Sequence, residues 1–206
     1  MTTSNDASTR SASYQWTDLS RHTTFLSLLL LLDIGLADIS VFSQFDAVFL
    51  MAVAISYVLI AITTMFAFGY WIVRACRNAH VLADRNLRFS PGWSLGWYFI
   101  PIANLWKPYQ AMRQIWNVSE NPSYNENRSA PAVIKFWWFA WIVSSFTWQT
   151  YPDEFNTPET FQQLAEIDIV SIGGFAVETF ATVLALVVVR SIDRMQKAAR
   201  LSTAYN

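Results

Sequence analysis

The stretch SPGWSLGWYFIPIANLWKPYQAM, residues 90–112, is apolar enough to enter a lipid bilayer, yet three prolines interrupt it. A helix from Trp93 to Ile100 would rise only about 12 Å, which is less than half of the hydrocarbon core of a bilayer. Pro101 then removes a backbone donor and ends or kinks that helix. At membrane depth such a break is tolerated only where protein or water satisfies the freed backbone groups. We therefore predict that this stretch does not cross the membrane as a single helix.

The two ends of the stretch carry helix signals of different kinds. Ser90-Pro91 is typical of a helix start, with serine as the cap and proline in the first turn. A second helix is predicted to begin around Lys107-Pro108, with apolar residues on one face and polar residues on the other. We interpret it as an interfacial amphipathic helix with tryptophan at the headgroup level. Its apolar face comprises Tyr109, Met112, Ile115 and Trp116, and its polar face comprises Lys107, Gln110, Arg113, Gln114 and Asn117.

The composition predicts one all-α membrane domain. The chain has 206 residues, of which 53% are hydrophobic and only 14% charged, which is too apolar for an ordinary soluble domain. A net charge of -1 indicates neither a nucleic-acid partner nor an acidic substrate, and a single cysteine cannot form an internal disulfide. We expect a disordered cytoplasmic tail over residues 1–20, a membrane domain over 21–200 and a C-terminal tail over 201–206. A cleaved signal peptide ending near Gly35-Leu36-Ala37 is the alternative to a retained first helix.

Four segments have the length and apolarity of transmembrane helices: residues 23–42, 47–73, 132–150 and 169–189. Thirteen of the fourteen Lys and Arg residues precede the first segment, lie between the second and third, or follow the fourth, and Lys135 lies near the start of the third. Because basic residues are retained on the cytoplasmic side, both termini are predicted to be cytoplasmic. The loop before the fourth span is acidic and is predicted to be external, with a short helix starting at Thr157-Pro158-Glu159; its acidic residues are Asp153, Glu154, Glu159, Glu166 and Asp168.

This charge distribution also constrains the opening stretch. If residues 93–118 crossed the bilayer once, the basic residues that follow the fourth span would lie outside. We therefore predict a re-entrant or interfacial helical hairpin over residues 90–118, between the second and third spans. In this arrangement Trp93, Trp97 and Ile100 enter the cytoplasmic leaflet, while Lys107 and Arg113 lie at its headgroups.

The segment from Arg74 to Asn78 and the run from Phe89 to Trp116 resemble the signature of a bacterial membrane-protein family catalogued as domain of unknown function 4328. The resemblance extends over residues 25–200 and is strongest in this central part. It implies a polytopic protein of the bacterial plasma membrane, and it supplies no activity, cofactor or catalytic residue. The hairpin and motif residues that we single out are Ser90, Pro91, Gly92, Trp93, Gly96, Trp97, Pro101, Asn104, Trp106, Lys107, Pro108, Tyr109, Gln110, Arg113 and Trp116.

Asp33 and Glu178 each lie near the middle of a predicted span, where ionisable groups are costly and usually face the interior of a helix bundle. Two neighbouring carboxyl groups could share a proton in a relay or hold a cation, with further oxygens from Thr63, Thr64 or Ser145. The alternative is a packing role, in which each carboxyl is protonated and bonded to a neighbouring helix.

Other residue groups have structural interpretations. Cys76, His80 and Asp84 share one helix face but lack a fourth zinc ligand, so no metal site is predicted. Gly92 and Gly96, like Gly173-Gly174, are expected to allow close helix packing. No catalytic triad, phosphate-binding loop or nucleic-acid signature is present, and we predict neither an enzyme nor a cofactor.

Two functional classes therefore follow from the sequence. The first is a membrane interaction or scaffold protein whose hairpin binds anionic lipid headgroups or the juxtamembrane segment of a partner. The second is a small transport or proton-relay protein that uses Asp33 and Glu178, as a homo-oligomer because four helices enclose little space.

Overall fold

The computed structural model describes residues 14–40, 47–83, 86–123, 129–147 and 161–204. Within these ranges every regular element is helical, which confirms the predicted all-α class for this part of the chain. Two 3-10 turns, Trp97–Phe99 and Ala103–Leu105, separate the third and fourth helices. The described ranges contain six α-helices: α1 (Ser20–Ser40), α2 (Ala47–Leu82), α3 (Pro91–Gly96), α4 (Lys107–Glu120), α5 (Ala132–Thr147) and α6 (Phe161–Ala204).

Two helices in the described ranges are long and apolar enough to cross a membrane, Met51–Leu82 within α2 and Gly173–Ser202 within α6. The apolar part of α5, Ala132–Phe146, is shorter, and α1 is not among the two. Only 11% of the most apolar window of α2 is buried, whereas the core helix of a soluble protein would be mostly buried. Length and composition thus support two of the four predicted spans. The exposed apolar side chains of α2 include Val48, Met51, Ile55, Val58, Leu59, Met65 and Phe66.

The hydrophobic core lies at the end of the bundle where α3 and α4 join the long helices. Side chains of α1, α2, α4, α5 and α6 meet there, and α6 contacts each of the other four. Burial of this apolar surface is the main favourable term that holds the ends together. The core includes Leu26, Trp71, Ile72, Met112, Ile115, Ile134, Val188, Val189 and Ile192.

The environment of α4 corrects the predicted interfacial helix. Met112 and Ile115, on its apolar face, are fully buried against other helices, so that face is covered by protein. Gln114 and Asn117, assigned to the polar face, are also buried. Helical periodicity identifies an apolar face, but it does not distinguish whether protein or lipid covers that face.

The packed part of the chain begins before Ser20, where the sequence predicted a tail. Leu19 is 2% exposed, and the ring of Tyr14 lies 5.2 Å from that of His80. Asp18 accepts hydrogen bonds from the hydroxyl and the backbone N–H of Ser20, and these bonds lower the pKa of the Asp18 carboxyl. Residues 1–13 and 148–160 lie outside the described residues, as do the side chains of Glu166 and Asp168, so the predicted tail and external loop stay predictions.

Candidate functional site

The backbone over residues 90–120 forms a hairpin of two helices. Ser90 precedes α3 in an extended conformation, and Pro91 occupies the first turn of that helix. The missing N–H of proline costs nothing at this position because the first helical N–H groups have no partner within the helix. After a 3-10 turn the chain turns at Pro101, and α4 begins at Lys107 with Pro108, which is buried, in its first turn.

The hairpin packs deep against α2 and α5. The ring of Tyr98 contacts those of Phe68, Trp138 and Trp141 edge to face, with centroids 6.4, 6.3 and 6.1 Å away. The indole N–H of Trp138 donates a 3.0 Å hydrogen bond to the carbonyl of Leu105. These contacts hold both arms of the hairpin against the long helices.

A glycine of α2 allows this close approach, and it is not one that the sequence singled out. A Cβ atom at Gly69 would lie 3.2 Å from Cδ1 of Leu95 in the hairpin. By contrast, Gly92 and Gly173 have no such neighbour within 4 Å among the described residues, and the atoms nearest to a Cβ at Gly96 belong to Trp93 of its own helix. The predicted role of Gly92 and Gly96 in close packing between helices is therefore wrong, as it is for Gly173.

The turn of the hairpin exposes apolar side chains. Phe99 and Ile102 are each 72% exposed, and Trp93, Ile100, Leu105 and Trp106 are exposed as well. Trp97 is half-buried and its ring lies 4.7 Å from that of Trp93. The most exposed residues, Phe99 and Ile102, were not among the three predicted to enter the leaflet.

The entry to the hairpin is fixed at the backbone of one residue, Phe89. Gln114 accepts from the Phe89 N–H at 3.0 Å and donates to its carbonyl at 3.1 Å. His80 Nε2 lies 3.0 Å from the same carbonyl and the Cys76 thiol donates to it at 3.5 Å. Because a carbonyl only accepts, the contact requires the tautomer of His80 with a proton on Nε2. Cys76 and His80 thus hold the hairpin entry, and Asp84 lies outside the described residues.

Cationic side chains lie against aromatic rings at the base of the hairpin. Lys107 Nζ is 5.3 Å from the ring centre of Trp97 and 5.9 Å from that of Phe89, and Arg88 Cζ is 5.6 Å from the Phe89 ring. Each distance is within the range of a cation–π interaction. Within the described part of the chain, no carboxylate pairs with Arg88 or Lys107.

The remaining hairpin residues either pack against the core or carry polar atoms that the protein covers. Tyr109 and Trp116 pack against the core, and Arg113 is half-buried. Four side-chain atoms are covered and have no hydrogen-bond partner among the described residues: Trp97 Nε1, the Tyr98 hydroxyl, Asn104 Oδ1 and Gln110 Oε1.

A buried polar network next to the hairpin was missed by the sequence analysis. Asn78 donates to the carbonyl of Thr17 (2.8 Å) and to Gln196 (3.1 Å), and it accepts from the backbone N–H of Thr17. Gln196 donates in turn to the Ala75 carbonyl (2.9 Å) and to the Ser119 hydroxyl (3.1 Å). The network joins the N-terminal segment to α2, α4 and α6. Asn78 closes the Arg74–Asn78 motif, which was the only available signal.

Asp33 and Glu178 line the same cleft, between α1 and α6. Glu178 accepts a 3.0 Å hydrogen bond from the Tyr57 hydroxyl, while Asp33 Oδ1 has no partner in the described part of the chain. Thr179 and Thr182 also line the cleft, whereas Thr63 and Ser145 donate to carbonyls of their own helices. Neither Tyr57 nor the two threonines of α6 was singled out from the sequence. The cleft volume is about 10 Å³, at the lower limit for one water molecule.

The comparisons with known proteins identify one family. The family model described as "Domain of unknown function (DUF4328)" matches residues 36–194, which include the hairpin and most of α6. No curated protein and no solved structure matches the chain.

Proposed function

The chain belongs to the DUF4328 family, and from that premise we propose that it is a bacterial plasma-membrane protein with four spans and two cytoplasmic termini. It serves as a membrane interaction or scaffold protein through the hairpin of residues 90–118. The hairpin binds anionic lipid headgroups or the juxtamembrane segment of a partner protein. In this proposal the chain has no catalytic role and needs no cofactor.

Contacts at one end of the bundle support the proposed topology. Arg74, at the end of the second span, donates a 2.8 Å hydrogen bond to the Thr17 hydroxyl. Arg190, at the end of the fourth, donates a 3.2 Å hydrogen bond to Ser27 in α1, and Arg200 lies over the Trp16 ring. The N-terminal segment and the basic ends of α2 and α6 therefore lie together, as the retention of basic residues in the cytoplasm requires.

The observation that carries the proposal is the depth at which the hairpin packs. Phe68, which contacts Tyr98, lies six residues before Arg74, or about 9 Å along the helix axis. Trp141 lies nine residues into α5, or about 13 Å. One leaflet contributes about 15 Å of hydrocarbon. These distances favour a re-entrant hairpin over one that lies on the surface, with Phe99 and Ile102 exposed to lipid.

Cysteine accessibility tests this arrangement. In a Cys76→Ala background, cysteines at Ser43 and Asn156 should react with an impermeant maleimide in intact cells. A cysteine at Asn125 should react only after the membrane is permeabilised, because its loop is cytoplasmic. A cysteine at Ile102 should react in neither condition, because its thiol lies in hydrocarbon.

Labelling at different positions tests different parts of the proposal. Labelling of Asn125 from outside would overturn the four-span topology. Labelling of Ile102 after permeabilisation, as fast as that of Asn125, would overturn the re-entrant hairpin and leave the tip in water. A cysteine at Asn121, which is exposed at the end of α4, provides the matched position on the base of the same hairpin.

The cleft between α1 and α6 favours a second candidate function, a proton relay. Two carboxyl groups line one cleft between helices proposed to span the membrane, and one of them accepts a hydrogen bond from the Tyr57 hydroxyl. Ionisable groups at such depth are usually functional. A cleft that holds no more than about one water molecule suits a proton or a small cation rather than an organic substrate.

If the relay operates, replacement of Glu178 by Gln should abolish a proton flux of the parent protein in liposomes. The amide still accepts from Tyr57, so the fold should persist, but it cannot release a proton. Thr63→Val, which removes a hydroxyl bonded to its own helix, is the control and should keep the flux. Equal fluxes in the parent and Glu178→Gln would leave the carboxyl groups with a packing role.

A further inference from the structure

The base of the hairpin carries a pair of cations, Arg88 and Lys107. Arg88 and Lys107 both lie within 6 Å of the centre of the Phe89 ring, so their charges are within about 12 Å of each other. This separation is comparable to the Debye length of roughly 8 to 10 Å at physiological salt, so their fields overlap. In the described part of the chain, neither cation pairs with an acidic side chain.

The two cations are also held in place. Gln114 binds both the backbone N–H and the carbonyl of Phe89, and this places the backbone next to Arg88 and the ring of Phe89 relative to α4. Lys107 is the first residue of α4 and lies over the Trp97 ring as well. Restricting the positions of the cations in advance lowers the entropic cost of binding an anion near them.

The start of α4 adds positive potential at the same place. Its first turn contains no acidic residue, and no side chain caps its free N–H groups. The end of a helix in this state carries about half of a positive charge. On its own this feature would indicate no ligand, but here it adds to two side-chain cations.

We infer that Arg88 and Lys107 form a site for the phosphate group of an anionic phospholipid in the cytoplasmic leaflet. The lipid is favoured over free phosphate because the exposed Phe99 and Ile102 project from the same hairpin. When these side chains lie in hydrocarbon, the base of the hairpin is at the level of the headgroups, where Trp93 and Trp97 also suit the interface. The inference rests on the re-entrant hairpin proposed above and gives it a defined lipid ligand.

Binding of phosphatidylglycerol to the detergent-solubilised full chain, counted by native mass spectrometry, tests the site. The paired change Arg88→Gln and Lys107→Gln should weaken binding about 10- to 30-fold, since each cation near an anionic headgroup contributes roughly a fivefold effect. The control pair is Arg77→Gln and Arg194→Gln, two exposed residues of α2 and α6. It removes the same charge and should weaken binding no more than about threefold.

Further arms separate the alternatives. The charge-preserving pair Arg88→Lys and Lys107→Arg should keep binding, which excludes misfolding as the cause of a loss. Equal losses in the two Gln pairs would overturn the site in favour of a diffuse surface potential. Displacement of the lipid by 10 mM inorganic phosphate would overturn the lipid assignment. If the two double Gln variants bound the lipid equally while a cysteine at Ile102 stayed shielded from maleimide, the site would be overturned and the proposed hairpin would stand.

Discussion

Replacement of Asn78 by alanine is expected to lower the free energy of unfolding by about 3 kcal/mol. The side chain is fully buried and makes three hydrogen bonds, two with the Thr17 backbone and one with Gln196. Each contributes about 1 kcal/mol net, and their loss leaves buried partners unsatisfied. For a protein whose total stability is about 5 to 15 kcal/mol this loss is large. The N-terminal segment should also detach from α2, because Asn78 binds its backbone.

The single cysteine provides the measurement. Cys76 is fully buried, so the rate at which its thiol reacts under increasing denaturant reports opening of the core. Asn86→Ala changes an exposed asparagine and should leave this rate nearly unchanged. The double change Asn78→Ala with Gln196→Ala should cost less than the sum of the two single changes, because the residues share a hydrogen bond. Strict additivity would show that the contact contributes nothing.

The network around Asn78 marks where prediction from the sequence ends. The prolines, the apolar runs and the basic clusters are local signals, and from them the helical hairpin and the long helices were expected. Asn78 and Gln196 are 118 residues apart, and each lies among charged residues that follow an apolar run. An exposed amide and a buried, paired amide have the same local pattern, so only the tertiary contact distinguishes them.

The candidate sites show the same difference between local sequence signals and tertiary contacts. Counting residues inward from the basic ends placed Asp33 and Glu178 at similar depth, and both line one cleft. Tyr57 was not foreseen because a tyrosine in an apolar span has no periodic signal that indicates its partner. Likewise, the helical spacing of apolar residues in α4 identified its apolar face. The helices that bury Met112, however, are distant in the sequence.

Replacement of Gln114 by methionine is expected to lower the free energy of unfolding by about 2 kcal/mol and to loosen the hairpin. Methionine has a similar size but cannot pair with the backbone N–H and carbonyl of Phe89, so two hydrogen bonds are lost. The Phe89 carbonyl keeps its contacts with Cys76 and His80. The backbone N–H of Phe89, by contrast, is left buried without a partner. Hydrogen exchange over residues 86–106 should therefore increase more than exchange in α6.

Gln110→Met is the matched control for this change, one turn earlier on the same helix. Its covered side-chain oxygen has no partner among the described residues, so its removal should cost less than about 0.5 kcal/mol or stabilise the fold. The two substitutions change the same atoms in the same helix, and the amide is paired at Gln114 but not, among the described residues, at Gln110. If both substitutions lowered the stability equally, helix propensity or side-chain volume would be the cause. The hydrogen bonds between Gln114 and Phe89 would then not position the hairpin. A large difference, with faster exchange confined to the hairpin, is the result that the geometry requires.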